Sequence, residues 1–180
     1  VAVNQVSLFF YPPRWQQRLT TPNPAALTDE GKPVQIAGAE QVVGTDAPTV
    51  PTAALKEWLT ERGFAQVEWG VTFQRGQVRS IFGLEKEIEV CVGDGAGEVT
   101  DLYIRFTLPR RNPPPLSEWS AFAVELCHRF QLRLGAEGIA PCSEAEFLAT
   151  VRGHRFYREF AASFGWAADA EPGAAPDPAT

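Results

Sequence analysis

A chain of 180 residues that is 44% hydrophobic and 21% charged has the composition of an ordinary globular protein, which excludes wholesale disorder. At this length roughly 70% of the unfolded surface can be buried, so no metal or disulfide staple is required for folding, and no run approaches the ~18–20 apolar residues of a membrane span. The net charge of −6 is uneven, with 8 basic and 13 acidic side chains in residues 1–104, 8 Arg and 5 Glu in 105–158, and four acids without a base in 159–180; no block supplies the strong positive stripe of a generic nucleic-acid surface.

Val3 to Tyr11 reads as a first strand, stopped by Pro12 and Pro13, which cannot continue a ladder. Residues 14–52 are the least regular part. Thr21 to Pro24, Asp29 to Pro33 and Ala47 to Pro51 carry turn chemistry. Val34 to Ile36 and Gln41 to Val43 could be short strands, so a small hairpin or an extended segment lying on the core is expected. Thr52 is placed to cap a helix from Ala53 to Arg62, with Leu55, Trp58 and Leu59 as its apolar stripe and Gly63 closing it. Val67, Trp69, Val71 and Phe73 alternate with polar neighbours, the pattern of a half-buried strand. Val78 to Leu84 and Lys86 to Val92 are further strands. Gly93 to Gly97 turns the chain into the clearest strand, with Leu102, Ile104, Phe106 and Leu108 inward and Asp101, Tyr103, Arg105 and Thr107 outward.

A Pro-rich elbow, Pro109 to Pro115, leads to the strongest helical pattern. Trp119, Phe122, Ala123, Leu126, Cys127, Phe130 and Leu134 recur at three- and four-residue steps, and Gly135 is read as the end. Ser143 and Glu146 form a capping box that opens a second helix, which Gly153 breaks or bends before a Phe-rich helix over His154 to Phe164. Residues 167–180 hold Ala, Pro, Gly and acids, the composition of a solvated acidic tail. Short turns between strands imply antiparallel neighbours, and strands followed by helices imply α+β. The expected fold is an antiparallel meander of four or five strands with the C-terminal helices packed on one face. It forms a single domain over 1–166.

Thirteen Arg against three Lys, with abundant Ala, Gly and Pro, suggest a GC-rich bacterial genome. Val1 to Phe10 lacks the pattern of a signal peptide, so a cytoplasmic protein is expected. Cys91, Cys127 and Cys142 are odd in number and lack CxxC spacing, which argues against a disulfide framework or a zinc site and for small buried thiols. Cys142, just ahead of a helix N-terminus, is the best candidate for a reactive thiol.

Other catalytic signatures are sparse. The glycine run at 93–97 is followed by a strand rather than a helix, so it reads as a hairpin turn and not a phosphate loop. His128 and His154 are the two histidines. His128 points about 100° away from its neighbour Cys127 on a helix, which argues against a Cys–His pair. No metal-ligand spacing and no GxSxG elbow occurs, and no cofactor is implied. Trp15, beside Arg14 and Arg18, is either an exposed recognition anchor or packed under the irregular segment.

The outward sheet face carries the most information. Glu68 and Thr72 from one strand, Glu87, Glu89 and Cys91 from the next, and Asp101, Tyr103, Arg105 and Thr107 from the last point to one side. Three readings stay open. The face is solvated, as one side of an antiparallel sheet commonly is; or it binds a basic protein partner through acids around an aromatic centre; or segment 14–50 covers it. Glu87 and Glu89 could in principle share acid–base work, but only inside a pocket.

The layout from residue 53 to 166 resembles the small single-domain α+β immunity proteins of bacterial toxin systems. The resemblance rests on the strand over Leu102 to Leu108, the Pro-rich elbow, the Trp119-bearing helix and the capped helix leading to Phe164, Gly165 and Trp166. It implies a protein that binds and neutralises a toxin domain, with no catalytic residues to carry over. A non-enzymatic protein-binding module using Glu68, Glu87, Glu89, Asp101, Tyr103 and Arg105 is therefore expected. The alternatives are a small enzyme or ligand-binding domain with a pocket between the sheet and segment 14–50, and a structural or oligomer-forming domain.

Overall fold

The first strand, β1 (Gln5–Tyr11), buries Val6, Leu8 and Phe10 on one side, as its alternation requires. The structure, a computed structural model, describes residues 4–27, 33–41, 46–66, 72–74, 77–84, 88–110, 112–135 and 140–166. After β1 comes a hairpin of β2 (Trp15–Leu27) and β3 (Pro33–Gln41), paired antiparallel from Trp15 opposite Gln41 to Leu27 opposite Pro33. This is not the small hairpin expected from Val34 to Ile36 and Gln41 to Val43: Val34 to Gln41 run in the single strand β3, whose partner is the segment Trp15–Leu27, and Val42 and Val43 lie outside the described residues. Pro22 and Pro24, read as turn residues, lie inside β2, where the register shifts between Thr20 and Pro22 and again between Asn23 and Leu27. A proline cannot donate to a ladder, and these bulges are where the pairing slips past it.

Helix α1 (Thr52–Glu61) buries Leu55, Trp58 and Leu59, the stripe read from the sequence. Its N-cap is Pro51, not Thr52. Thr52 is the first residue of the helix, with its side chain buried and making no capping bond, and its N–H donates to the Gly97 carbonyl at 2.9 Å. Gly63, at φ 83°, closes the helix as expected. Next come β4 (Ala65–Gln66), β5 (Thr72–Gln74), β6 (Gln77–Leu84), β7 (Ile88–Gly95) and β8 (Glu98–Thr107). Most of the alternating strand expected over Val67 to Phe73 lies outside the described residues.

The strands order β4–β6–β7–β8–β1–β9, with β5 also on β6 and β9 (Arg133–Leu134) at the far edge; the pairs are antiparallel. Four long strands, β6, β7, β8 and β1, form its body. The β7–β8 turn has Ala96 at φ 56° and Gly97 at φ 86°, the two left-handed residues of a two-residue hairpin. Asp94 Oδ1 accepts the Gly97 N–H at 2.8 Å. The glycine run is thus a hairpin turn whose first three residues belong to β7.

Helix α2 (Leu116–Phe130) stops earlier than its periodicity suggests. Gln131 takes the left-handed conformation at φ 56°, and the chain turns back to place β9 against Phe10 and Tyr11. Leu132 and Leu134 are still buried, so the apolar spacing continues after the helix has ended. Ser143 caps α3 (Glu144–Gly153) by accepting the Glu146 N–H at 3.1 Å, half of the expected capping box. Helix α4 (Arg155–Phe164) follows and ends at Gly165, φ 65°. Residues 167–180, read as an acidic tail, lie outside the described residues.

The core lies between the sheet and the helices. Val6, Leu8 and Phe10 of β1, Ile88, Val90 and Val92 of β7, and Leu102, Ile104 and Phe106 of β8 meet Leu55, Trp119, Leu126, Phe147 and Tyr157. Aromatic pairs join α1 and the chain just after it to α2, with Trp58 packed on Phe122 and Phe130 at 5.9 Å each, and Phe64 on Phe122 at 5.2 Å. This is the α+β layout expected, with the C-terminal helices on one face.

Candidate functional site

The opposite face of the sheet is built by the alternate residues of the same strands. Register places Ser7 and Glu89 on either side of Arg105, Phe9 and Cys91 on either side of Tyr103, and Gly93 across from Asp101. The face has two halves with different burial. Toward the β7–β8 turn it is covered. Tyr11 and Asp101 are each 1% exposed, Cys91 and Gly93 are buried, and the Trp15 ring lies near Gly95. The hairpin provides the cover, since β3 packs against β8 and β2 against β1. Arg133 pins its root by donating from Nη2 to the Trp15 carbonyl at 2.6 Å, and burial pushes the Arg133 guanidinium down from its ordinary value.

Toward the other end Gln5, Ser7, Phe9, Glu89, Tyr103, Arg105 and Thr107 are half-exposed. The Phe9 and Tyr103 rings lie 4.6 Å apart, tilted by 37°, Arg105 lies 6.0 Å from the centre of the Tyr103 ring, and Arg105 Nη2 pairs with Glu89 Oε2 at 2.7 Å. The same Arg105 nitrogen lies 3.9 Å from Cys91 Sγ. This half is therefore a small aromatic surface with an internally neutralised charge pair.

Of the acids read onto this face, Glu89 is paired with Arg105 and Asp101 lies beneath the surface, where Thr100 Oγ1 donates to it at 2.9 Å. Glu68 and Glu87 fall outside the described residues, so the Glu87/Glu89 pairing does too. Tyr103 and Arg105 sit side by side as alternation requires. Phe9 was missed. Its outward direction was readable from β1, but its place beside Tyr103 depends on β1 pairing with β8, ninety residues away in the chain, which no local pattern announces.

The remaining chemistry-bearing side chains have structural roles. Cys142, the candidate reactive thiol, is 0% exposed and donates to the Ser143 carbonyl at 3.4 Å, which keeps its sulfur away from solvent in the closed fold. Cys91 and Cys127 are buried as well. Trp15 is half-buried against Gly95, between the two readings given for it. His128 is exposed on α2, where it lines a concavity of about 380 Å3 with Ser117, Ser120, Val124, Glu125 and Glu144. A second concavity, of about 390 Å3, lies beside α4 between Arg152, Arg158 and Trp166.

His154 caps α4, its Nδ1 accepting the Phe156 N–H at 3.3 Å. Only the neutral imidazole can accept there. Burial pushes its pKa below the ordinary His value. A depressed folded pKa means the stabilisation is complete above the unfolded value of about 6.5 and is lost as pH falls through the folded value. The cap is worth about 1 kcal/mol, or about 2–4 °C in Tm. The Tm of the native chain is expected to drop more as pH falls from 7 to 5 than the Tm of His154→Asn, which keeps an acceptor but does not titrate. Parallel pH profiles for the two chains would refute the capping role.

No protein-family model matches this chain, and no curated protein or solved structure matches it.

Proposed function

We propose that this chain is a non-enzymatic protein-binding module of the kind represented by bacterial immunity proteins, and that it holds its partner on the open half of the outer sheet face. The observation that carries this reading is the cluster of Phe9, Tyr103, Arg105 and Glu89, half-exposed on a rigid sheet. Aromatic and Arg side chains dominate binding energy at protein interfaces, and strands hold them at low entropic cost. His154 is engaged in a cap, the three thiols are buried and Glu89 is paired with Arg105, which favours binding over catalysis at this face. The Glu89–Arg105 pair makes the described part of this surface dipolar rather than acidic. Its complement is a protein domain carrying both a basic group and an apolar contact, with Glu68 and Glu87 adding negative charge if they border the patch.

Co-expression tests this reading. The products of the two flanking genes are expressed in a bacterial host with and without this chain. Growth arrest by one product, relieved by the native chain and not by Tyr103→Ala with Arg105→Glu, is the expected result. Equal relief by the double variant would place the contact elsewhere, and the absence of any toxic or bound flanking product would remove the immunity reading.

A further inference from the structure

Two of the three thiols meet in the core. Cys127 sits on the inner face of α2 near its end, and Cys142 immediately precedes Ser143, the N-cap of α3; both are 0% exposed. The chain between them is folded back on itself. The Leu132 N–H donates to the Cys127 carbonyl at 2.9 Å, and the Cys142 N–H donates to the Leu132 carbonyl at 3.2 Å. Both bonds converge on Leu132, which sets the two buried side chains beside each other. That contact and burial push the Cys127 thiol far above its ordinary value. Cys91 is on the outer face of the sheet, across from Tyr103, and cannot join them. A count of three cysteines without CxxC spacing gave no hint of such a pair, because the turn at Gln131 and Leu132 creates it.

We propose that Cys127 and Cys142 form a modification site, a latent disulfide that closes under a low-molecular-weight disulfide oxidant and fastens the end of α2 to the start of α3. The reaction is thiol–disulfide exchange. On local opening, Cys142 loses its proton to solvent, and its thiolate attacks one sulfur of the oxidant. The oxidant's S–S bond breaks, a mixed disulfide forms on Cys142, and one small thiolate leaves. The Cys127 thiolate, also deprotonated to solvent, then attacks the Cys142 sulfur and expels the second small thiolate. The protein loses two protons and two electrons, and the oxidant is reduced to two thiols. Because the closed fold holds both sulfurs away from solvent, the rate is set by opening of the α2–α3 connection. Once formed, the bond closes a loop of about 15 residues, which should raise Tm by about 6–12 °C.

The full chain carrying Cys91→Ser is incubated with oxidised glutathione, with mild denaturant added until amide exchange shows that 131–143 opens, then returned to native buffer, alkylated and analysed by intact mass and peptide mapping. The expected product has lost two hydrogen masses, links the peptides of Cys127 and Cys142, and melts above the reduced chain. Retention of both thiols after demonstrated opening, stable glutathione adducts without closure, or an oxidised form that melts below the reduced one would each overturn the proposal. Cys127→Ser and Cys142→Ser should each abolish the linked product; if either fails to fold, the Cys91→Ser result decides alone.

Discussion

Phe106→Ala is expected to lower the unfolding free energy by about 3–5 kcal/mol, enough to remove a fifth or more of the ~5–15 kcal/mol typical of a domain. The size follows from where the ring sits. On the sheet, Phe106 is flanked by Val6 of β1 and Ile88 of β7. Above the sheet its ring lies 4.9 Å from Trp119 of α2 and 5.5 Å edge-on from Phe147 of α3. One side chain thus joins two strand neighbours to two helices, and all of them are buried. Truncation opens a cavity whose walls belong to separate elements and cannot collapse together. Phe106→Leu, which keeps most of the volume, should cost less than half as much. Chemical denaturation of the three chains checks this, and a loss below about 1 kcal/mol for Phe106→Ala would show that the layers do not pack as described.

Gly93→Ala is expected to cost about 2–4 kcal/mol, although it adds a single methyl group. A Cβ at Gly93 would stand 2.7 Å from Thr100 Oγ1 and closer still to the Asp101 carboxylate. Both groups are buried, at 0% and 1% exposure, and the Thr100 hydroxyl donates to the Asp101 carboxylate under the hairpin, so neither can swing aside. The methyl group would either push the strands apart at the bulge between Gly93 and Asp94 or break the buried Thr100–Asp101 bond. Gly97→Ala is the control. There the added methyl meets open space and only the positive φ of 86° opposes it, at about 1 kcal/mol. Equal losses at the two sites would mean that backbone conformation, not crowding beneath the hairpin, sets the requirement for Gly93.

Those two residues also mark the limits of what the sequence reveals. Alternation at Leu102, Ile104 and Phe106 assigns the inner face of β8 without ambiguity, because burial on one side forces a period of two. The same alternation puts Asp101 on the outer face but says nothing of what lies above it. The cover comes from a hairpin whose second strand reads PVQIAGAEQ and whose first holds two prolines, so neither advertises a ladder. The end of α2 was hidden for a related reason. Leu134 falls four residues after Phe130, so helical spacing and the strand β9 both bury it, and Gln131 is not a residue whose type signals a left-handed turn. At Thr52 the local pattern favoured a cap, while pairing with the β7–β8 turn drew the residue inside. In the candidate site, Tyr103 and Arg105 were legible as neighbours on one strand. Phe9 and the meeting of Cys127 with Cys142 arise from contacts distant in the chain.

The central claim is that the open half of the outer sheet face holds a protein partner, and calorimetric titration of the flanking-gene product that binds tests it most directly. Native chain, Tyr103→Ala and the surface control Lys56→Ala on α1 are titrated after their melting temperatures are shown to agree. The expected result is a Kd raised at least ~30-fold by Tyr103→Ala, the ~2 kcal/mol of an interface hot spot, and unchanged by Lys56→Ala. A Kd for Tyr103→Ala within about twofold of native, in a chain that melts normally, would contradict it.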